Sequence, residues 1–230
     1  MRIAISQSNY VPWKGYFDMI SRVDEFVLYD EVQFTRRDWR NRNRIKTAQG
    51  LTWLTIPVVN KGRYTQSISE TEILEPGWSE KHWRTVRGAY ARAAGFKGLT
   101  ETLAEAYQNA AEIGRLSEVN EYFLRLICRL LGIGTKMTQS SEFDLADDRN
   151  ERLLSICRQA GATTYLSGPA AKDYLDVDRF HEAGIEVEWM TYEGYPEYPQ
   201  LHGPFEHAVS VLDLILNVGD DAPLFFKADS

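Results

Sequence analysis

Strand, helix, strand, in that order and within thirty residues, is the pattern that most limits what this chain can fold into. Ile3–Ile5 is a short apolar run, and after a Pro-Trp-Lys-Gly turn Tyr16, Phe17, Ile20 and Val23 recur at helical spacing. Glu25–Asp30 follows as a second run, apolar enough to be buried on both faces. The sequence therefore predicts a βαβ unit, which requires a parallel pair of strands joined by a right-handed crossover.

The remaining chain agrees with that start. Leu51–Val58 reads as a third strand, with Pro57 placing its end at an edge or bulge. Residues 60–66 read as an exposed loop and residues 79–131 as a mainly helical insertion or cap, with Ser117 a candidate N-cap and Gly132 past the end. Strands are then predicted over 135–139, 163–167 and 185–189. They alternate with helices over 148–159 (capped by Asp147 or Asp148), near 178–183 and over 211–217 (capped by Ser210). Such alternation calls for α/β layers around a parallel sheet. At 230 residues the chain is long enough for one α/β domain over 1–230 that carries the helical block within it.

Charge sets a second limit. A net charge of −7 argues against a dedicated partner for duplex nucleic acid, which calls for a broad basic face. Against that background Arg36 to Lys46 holds six basic residues and one acid, interleaved with Trp39, Asn41 and Asn43. Arginines fit phosphate and carboxylate groups in two-point contacts, and the aromatic and amide side chains between them can stack and hydrogen-bond. A solvated charged loop is the plainer alternative. The two cysteines, Cys128 and Cys157, have no ligand spacing and read as buried free thiols. The short apolar start is no signal peptide or membrane span, so a cytoplasmic protein is expected.

Several other segments carry candidate chemistry. Gln7, Asn9, Tyr10, Trp13 and Lys14 fall in the loop after the first strand, where open parallel sheets receive ligands and helix N-termini point. The layout resembles the first loop of nucleotidyltransferases, but Trp13-Lys14-Gly15-Tyr16 stands where those proteins carry His-x-Gly-His. The expected fold is thus a Rossmann-like or nucleotidyltransferase-like sheet flanked by helices, without the histidine pair of adenylyl transfer. Asp30 and Gln33 fall at or just beyond the end of the second strand, where Asp30 could orient an amine or act as a base, or could pair with an arginine. His82 would titrate near neutral pH, or could be a satisfied core histidine. Ser167-Gly168 and Lys172 could form an anion-binding turn, though without a Walker A sequence. The Pro- and Tyr-rich stretch 195–205 reads as a lid or wall. His202 and His207 share no metal spacing with other ligands, and no cofactor or metal is expected.

Taken together, Gln7–Phe17, Asp30–Phe34, Trp39–Ile45, Lys81–Trp83, Tyr165–Pro169 and the Tyr198-Pro199-Gln200 loop resemble the WbqC-like family over nearly the whole chain. This chain has Gln7-Ser8 where many members carry Gln-Pro. The resemblance implies a transferase of polysaccharide or O-antigen biosynthesis. It would form an amide between an activated aminoacyl or acyl donor and a nucleotide-linked amino sugar, with an aminoacyl or acyl carrier protein as a candidate partner. Combined with residue chemistry, it assigns phosphate binding to Arg40, Arg42, Arg44 and Ser167-Gly168. Proton transfer falls to Asp30 or His82, and the oxyanion to Gln33, Asn41 or Asn43. Two alternatives stay open: an ATP-dependent ligase or nucleotidyltransferase relative, and a non-catalytic module that binds a nucleotide sugar or a carrier protein.

Overall fold

The computed structural model describes residues 1–227. Five parallel strands form the sheet: β1 (Arg2–Ser6), β2 (Glu25–Leu28), β5 (Lys136–Gln139), β6 (Thr164–Ser167) and β7 (Glu186–Trp189). Their order across the sheet is β5-β2-β1-β6-β7, and every neighbouring pair is parallel. Chain direction across the sheet therefore reverses at β1, with β2 on one side and β6 on the other. This is the doubly wound arrangement in which a crevice opens beyond the carboxyl ends of the two strands that part there.

Alternation along β1 and β2 feeds two cores. Ala4, Phe26 and Leu28 belong to a core that also takes in α1 (Lys14–Ser21), α2 (Trp78–Tyr90), α3 (Phe96–Ala110), α4 (Leu116–Leu130) and α7 (Val211–Val218). Ile3, Ile5, Val27 and Tyr165 face the other way, onto α5 (Arg149–Gln159) and α6 (Val177–Glu182). Helices thus cover both faces, as a parallel sheet requires. Cys128 and Cys157 are buried free thiols, one in each core. Among the described residues no helix is long and apolar enough to cross a membrane.

The sequence reading and the structure part at the middle of the chain. The second half of the basic segment is not a loop. It is β3 (Arg42–Thr47), paired antiparallel with β4 (Gly50–Thr55) from Arg42↔Thr55 to Thr47↔Gly50, in a hairpin separate from the main sheet. The turn between them depends on Gly50, whose φ of 107° only glycine adopts readily. Period two explains the strand: Asn43 and Ile45 point inward while Arg42 and Arg44 point outward. The predicted third strand is therefore β4, which stops at Thr55, two residues before Pro57. β2 also ends earlier, at Leu28, so Asp30 lies just past the strand rather than within it.

The helical block contains three helices. α4 starts at Leu116, so Ser117 is inside the helix, and the N-cap is Arg115 with no side-chain cap bond. The free Leu116 N–H goes instead to the Thr71 carbonyl at 2.9 Å. Asp148 and Ser210 do cap α5 and α7, accepting from the backbone N–H groups of Glu151 and Leu212. Where α2 turns into α3, the Gly95 N–H donates to Leu216 O at 2.9 Å, and a Cβ at Gly95 would stand 2.6 Å from backbone atoms of Ile215 and Gly219.

Candidate functional site

The loop leaving β1 is fixed from three directions. Ser8 is fully buried; its N–H donates to Asp30 Oδ1 at 2.8 Å, and its hydroxyl accepts from Asn120 Nδ2 of α4 at 3.0 Å. The same Asn120 amide donates to the Arg40 carbonyl at 2.9 Å, and the Tyr10 N–H reaches the Trp39 carbonyl at 3.1 Å. Asn43 of β3 donates to the carbonyls of Tyr10 and Val11 at 3.2 and 3.0 Å. From the far end of the chain, Ser210 Oγ donates to Val11 O at 2.7 Å and the Val211 N–H to Pro12 O at 2.8 Å. These bonds hold Val11 at φ 36°, a left-handed backbone that a β-branched residue adopts only under strain.

A cavity of about 270 Å3 lies against this loop, lined by Asn9, Pro12, Trp13, Trp39, Asn43, His207 and Ala208. Two arginines edge it. Arg40 donates to Asn9 Oδ1, and Arg44 donates to the Ala208 carbonyl at 2.9 Å. Trp39 is 41% exposed and lies 5.6 Å, ring to ring, from Trp53 of β4, itself 44% exposed. The Arg44 guanidinium stands over both indoles, 5.8 and 5.5 Å from their centres. The result is an aromatic wall with cations at its rim, suited to a planar group that carries negative charge.

Two titratable groups, Lys14 and His207, meet the 195–207 loop, and of these His207 lines the cavity. Lys14 is almost fully buried, donates to the Pro196 carbonyl at 2.6 Å, and sits 5.3, 5.0 and 5.9 Å from the rings of Tyr195, Tyr198 and Phe205. Burial lowers its pKa to about 8. His207 is exposed, packs edge-on against Phe205, and is held below its ordinary pKa by partial burial and by the Lys14 charge. Asp30 lies under the loop. Burial pushes its carboxyl up to about 6, against the lowering pull of its Ser8 hydrogen bonds and the Arg40 charge.

Of the residues singled out in the sequence, Asn9, Trp13, Trp39 and Asn43 line this cavity, and Arg40 and Arg44 edge it. Gln7 contributes its carbonyl to the Tyr16 hydroxyl at 2.8 Å. Tyr10 is completely buried, its hydroxyl between His82 Nδ1 at 2.9 Å and the Tyr107 hydroxyl at 3.2 Å. His82 uses its other nitrogen on Thr55 O at 3.2 Å, and burial lowers its pKa to about 4. Both imidazole nitrogens are therefore engaged within the protein. Gln33 donates to Tyr64 O at 2.6 Å, and Asn41 to Ile56 O at 2.8 Å. Ser167 is buried, Gly168 faces the Tyr192 hydroxyl, and Lys172 is exposed over the Trp189 ring at 5.5 Å. None of these three lines the cavity. Among the described residues no three His, Cys, Asp or Glu side chains stand where they could hold a metal ion.

His207, Trp53, Asn120 and the arrangement around Lys14 carry more of the site than the sequence indicated. Asn120 had one legible signal, a polar residue among the apolar positions of α4. His207 had only its place beside the Pro- and Tyr-rich stretch.

The chain is thus an α/β protein with a doubly wound parallel sheet and an aromatic, arginine-edged cavity at the loop after its central strand. The chain belongs to the WbqC-like protein family, whose sequence model matches residues 7–224. It is also 50% identical over 226 residues, covering 98% of this chain and 97% of the relative, to the uncharacterized protein Rv1507c of Mycobacterium tuberculosis (strain ATCC 25618 / H37Rv). No solved structure matches the chain at a significant level.

Proposed function

We propose that the protein is a transferase acting on a nucleotide-linked amino sugar in polysaccharide or O-antigen biosynthesis, joining an activated aminoacyl (glycyl-like) or acyl group to the sugar amine. The observation that carries this reading is the cavity where Trp39, Asn9 and His207 meet, with Arg40 and Arg44 at its edge. Trp39 offers a face to a nucleobase, the arginines neutralise a diphosphate, and the sugar amine lies toward His207.

In the transfer step the amine nitrogen attacks the donor carbonyl. A C–N bond forms, the bond to the donor's leaving group breaks, and the proton lost by the amine passes to the His207 imidazole. The lowered pKa of His207 favours the neutral imidazole, the form that accepts that proton. His82 is a poorer base, since both its nitrogens are occupied. The amides of Gln33, Asn41 and Asn43 already donate to protein carbonyls, which leaves the Asn9 amide nitrogen as donor to the developing oxyanion. Such a donor is commonly worth ~2.7–4 kcal/mol.

The test is a thermal-shift panel of nucleotides and nucleotide sugars on wild type and Trp39→Ala. A ligand at 100 times its Kd adds about 2.7 kcal/mol of stability. A shift with a nucleotide sugar that is lost in Trp39→Ala supports the reading; no shift with any nucleotide sugar sinks it, and a shift with ATP alone favours a ligase. Once the substrate is found, His207→Ala should lower turnover by ~10²–10⁴ while His82→Gln leaves it within a few-fold.

A further inference from the structure

The basic segment borders a second cavity, of about 250 Å3, that shares no lining residue with the first. Arg36, Arg37 and Arg42 line it together with Asn41, Thr55 and Asn60, and no carboxylate is among its lining residues. Asn43 lines the first cavity, and Arg42 beside it lines the second.

Two of the three guanidinium groups are held in place. Arg36 Nη2 donates to the Asn60 carbonyl at 2.9 Å, and its guanidinium lies 5.2 Å from the Tyr64 ring centre. Arg42 donates to the Arg37 carbonyl and stacks 4.1 Å above Trp53. The Arg37 side chain has neither a hydrogen bond nor an ion pair among the described residues. Asp38, the acid nearest in sequence, is occupied elsewhere: it accepts from Thr35 Oγ1 at 2.6 Å and from the Trp39 N–H at 2.7 Å, and lies 3.7 Å from Arg40. Three like charges thus border one concavity that no carboxylate lines, although the Asp38 carboxylate is close enough for Arg42 to help hold its pKa down.

An anion with several oxygens suits such a site, because each guanidinium presents a fork of donors. The volume, like that of the first cavity, lies below the ~300 Å3 at which sites for whole drug-sized ligands begin, so each cavity takes one part of its ligand. The cavity is sized for a charged head group, with the remainder of its molecule outside. We infer that this cavity is a second anion site and holds the phosphate of the acyl or aminoacyl donor, a phosphate ester, while the first cavity holds the nucleotide sugar. The donor assignment rests on the proposed transfer reaction; the anion site does not.

The experiment is calorimetric titration with pyrophosphate at low salt, on wild type, Arg37→Gly, Arg36→Gln and Trp39→Ala. Glycine suits position 37 because its backbone is left-handed, at φ 59°. Both arginines are exposed, and circular dichroism verifies that the variants fold. Pyrophosphate should bind wild type and Trp39→Ala alike, and at least ~10-fold more weakly in each arginine variant. Equal affinity in wild type and both arginine variants overturns the site, as does loss of binding in Trp39→Ala. A repeat with saturating nucleotide sugar separates the two sources of phosphate. Retained pyrophosphate binding supports a separate donor; displacement means that the cavity takes the nucleotide's own diphosphate and overturns the donor assignment. Protein that binds pyrophosphate but no nucleotide sugar keeps the second site while the transferase reading falls.

Discussion

Two buried titratable side chains close to the β1 loop answer acid in opposite senses. Asp30 has a folded pKa near 6 against an ordinary 3.8. As pH falls from 6 toward 3.8 the folded state takes up this proton first, and stability rises. His82 has a folded pKa near 4 against 6.5, so between those values acid protonates the unfolded chain first, and stability falls. Each shift is about two units, or about 3 kcal/mol, so the two largely offset one another between pH 4 and 6. Urea unfolding across that range should expose each partner. Asp30→Asn should lose stability steeply on acidification, and His82→Gln should gain it. Parallel pH profiles for the two variants would contradict this. The placement of Asp30 near the end of β2 was legible in the sequence. The role of His82 was not, because it depends on Tyr10 and Thr55, which lie 72 and 27 residues away along the chain.

At the scale of elements, the β3–β4 hairpin does more than display arginines. Through Asn43 it holds two carbonyls of the strained β1 loop, and Asn43 Oδ1 also accepts from the Arg44 N–H at 2.8 Å. Asn43→Ala removes a donor from both carbonyls, leaving Val11 O with the Ser210 hydroxyl, and takes the acceptor from the Arg44 N–H. It should lower stability by about 2–3 kcal/mol in urea titrations and speed hydrogen exchange in the Tyr10–Pro12 loop. The turn between α2 and α3 is equally intolerant, for a different reason. A Cβ at Gly95 meets backbone rather than a yielding side chain, so Gly95→Ala should lower stability by about 1–3 kcal/mol and loosen α7. The hairpin was partly legible: the alternation Arg42, Asn43, Arg44, Ile45 is a strand pattern, but the density of charge drew the reading toward a loop. That density also hid the division of the segment between two cavities, which depends on residues distant in sequence such as Asn60 and His207. Legible throughout were the βαβ start, the later strands and the caps at Asp148 and Ser210, each carried by local pattern.

For the whole molecule, the decisive fact is the place of β1 in the sheet. It pairs with β2, about twenty residues on, and with β6, about 160 residues on. Non-local parallel pairing of this kind folds slowly. In pulse-labelling experiments the β1–β2 amides should be protected before the Val211 amide, whose partner is Pro12 O; simultaneous protection would show a single concerted step. Synthesis on the ribosome gives that order a further meaning. Trp13 and Trp39 emerge early, yet His207, Ala208 and Ser210, which complete the first cavity and fix its loop, emerge much later. Until that segment has emerged, a nascent chain has no finished first cavity.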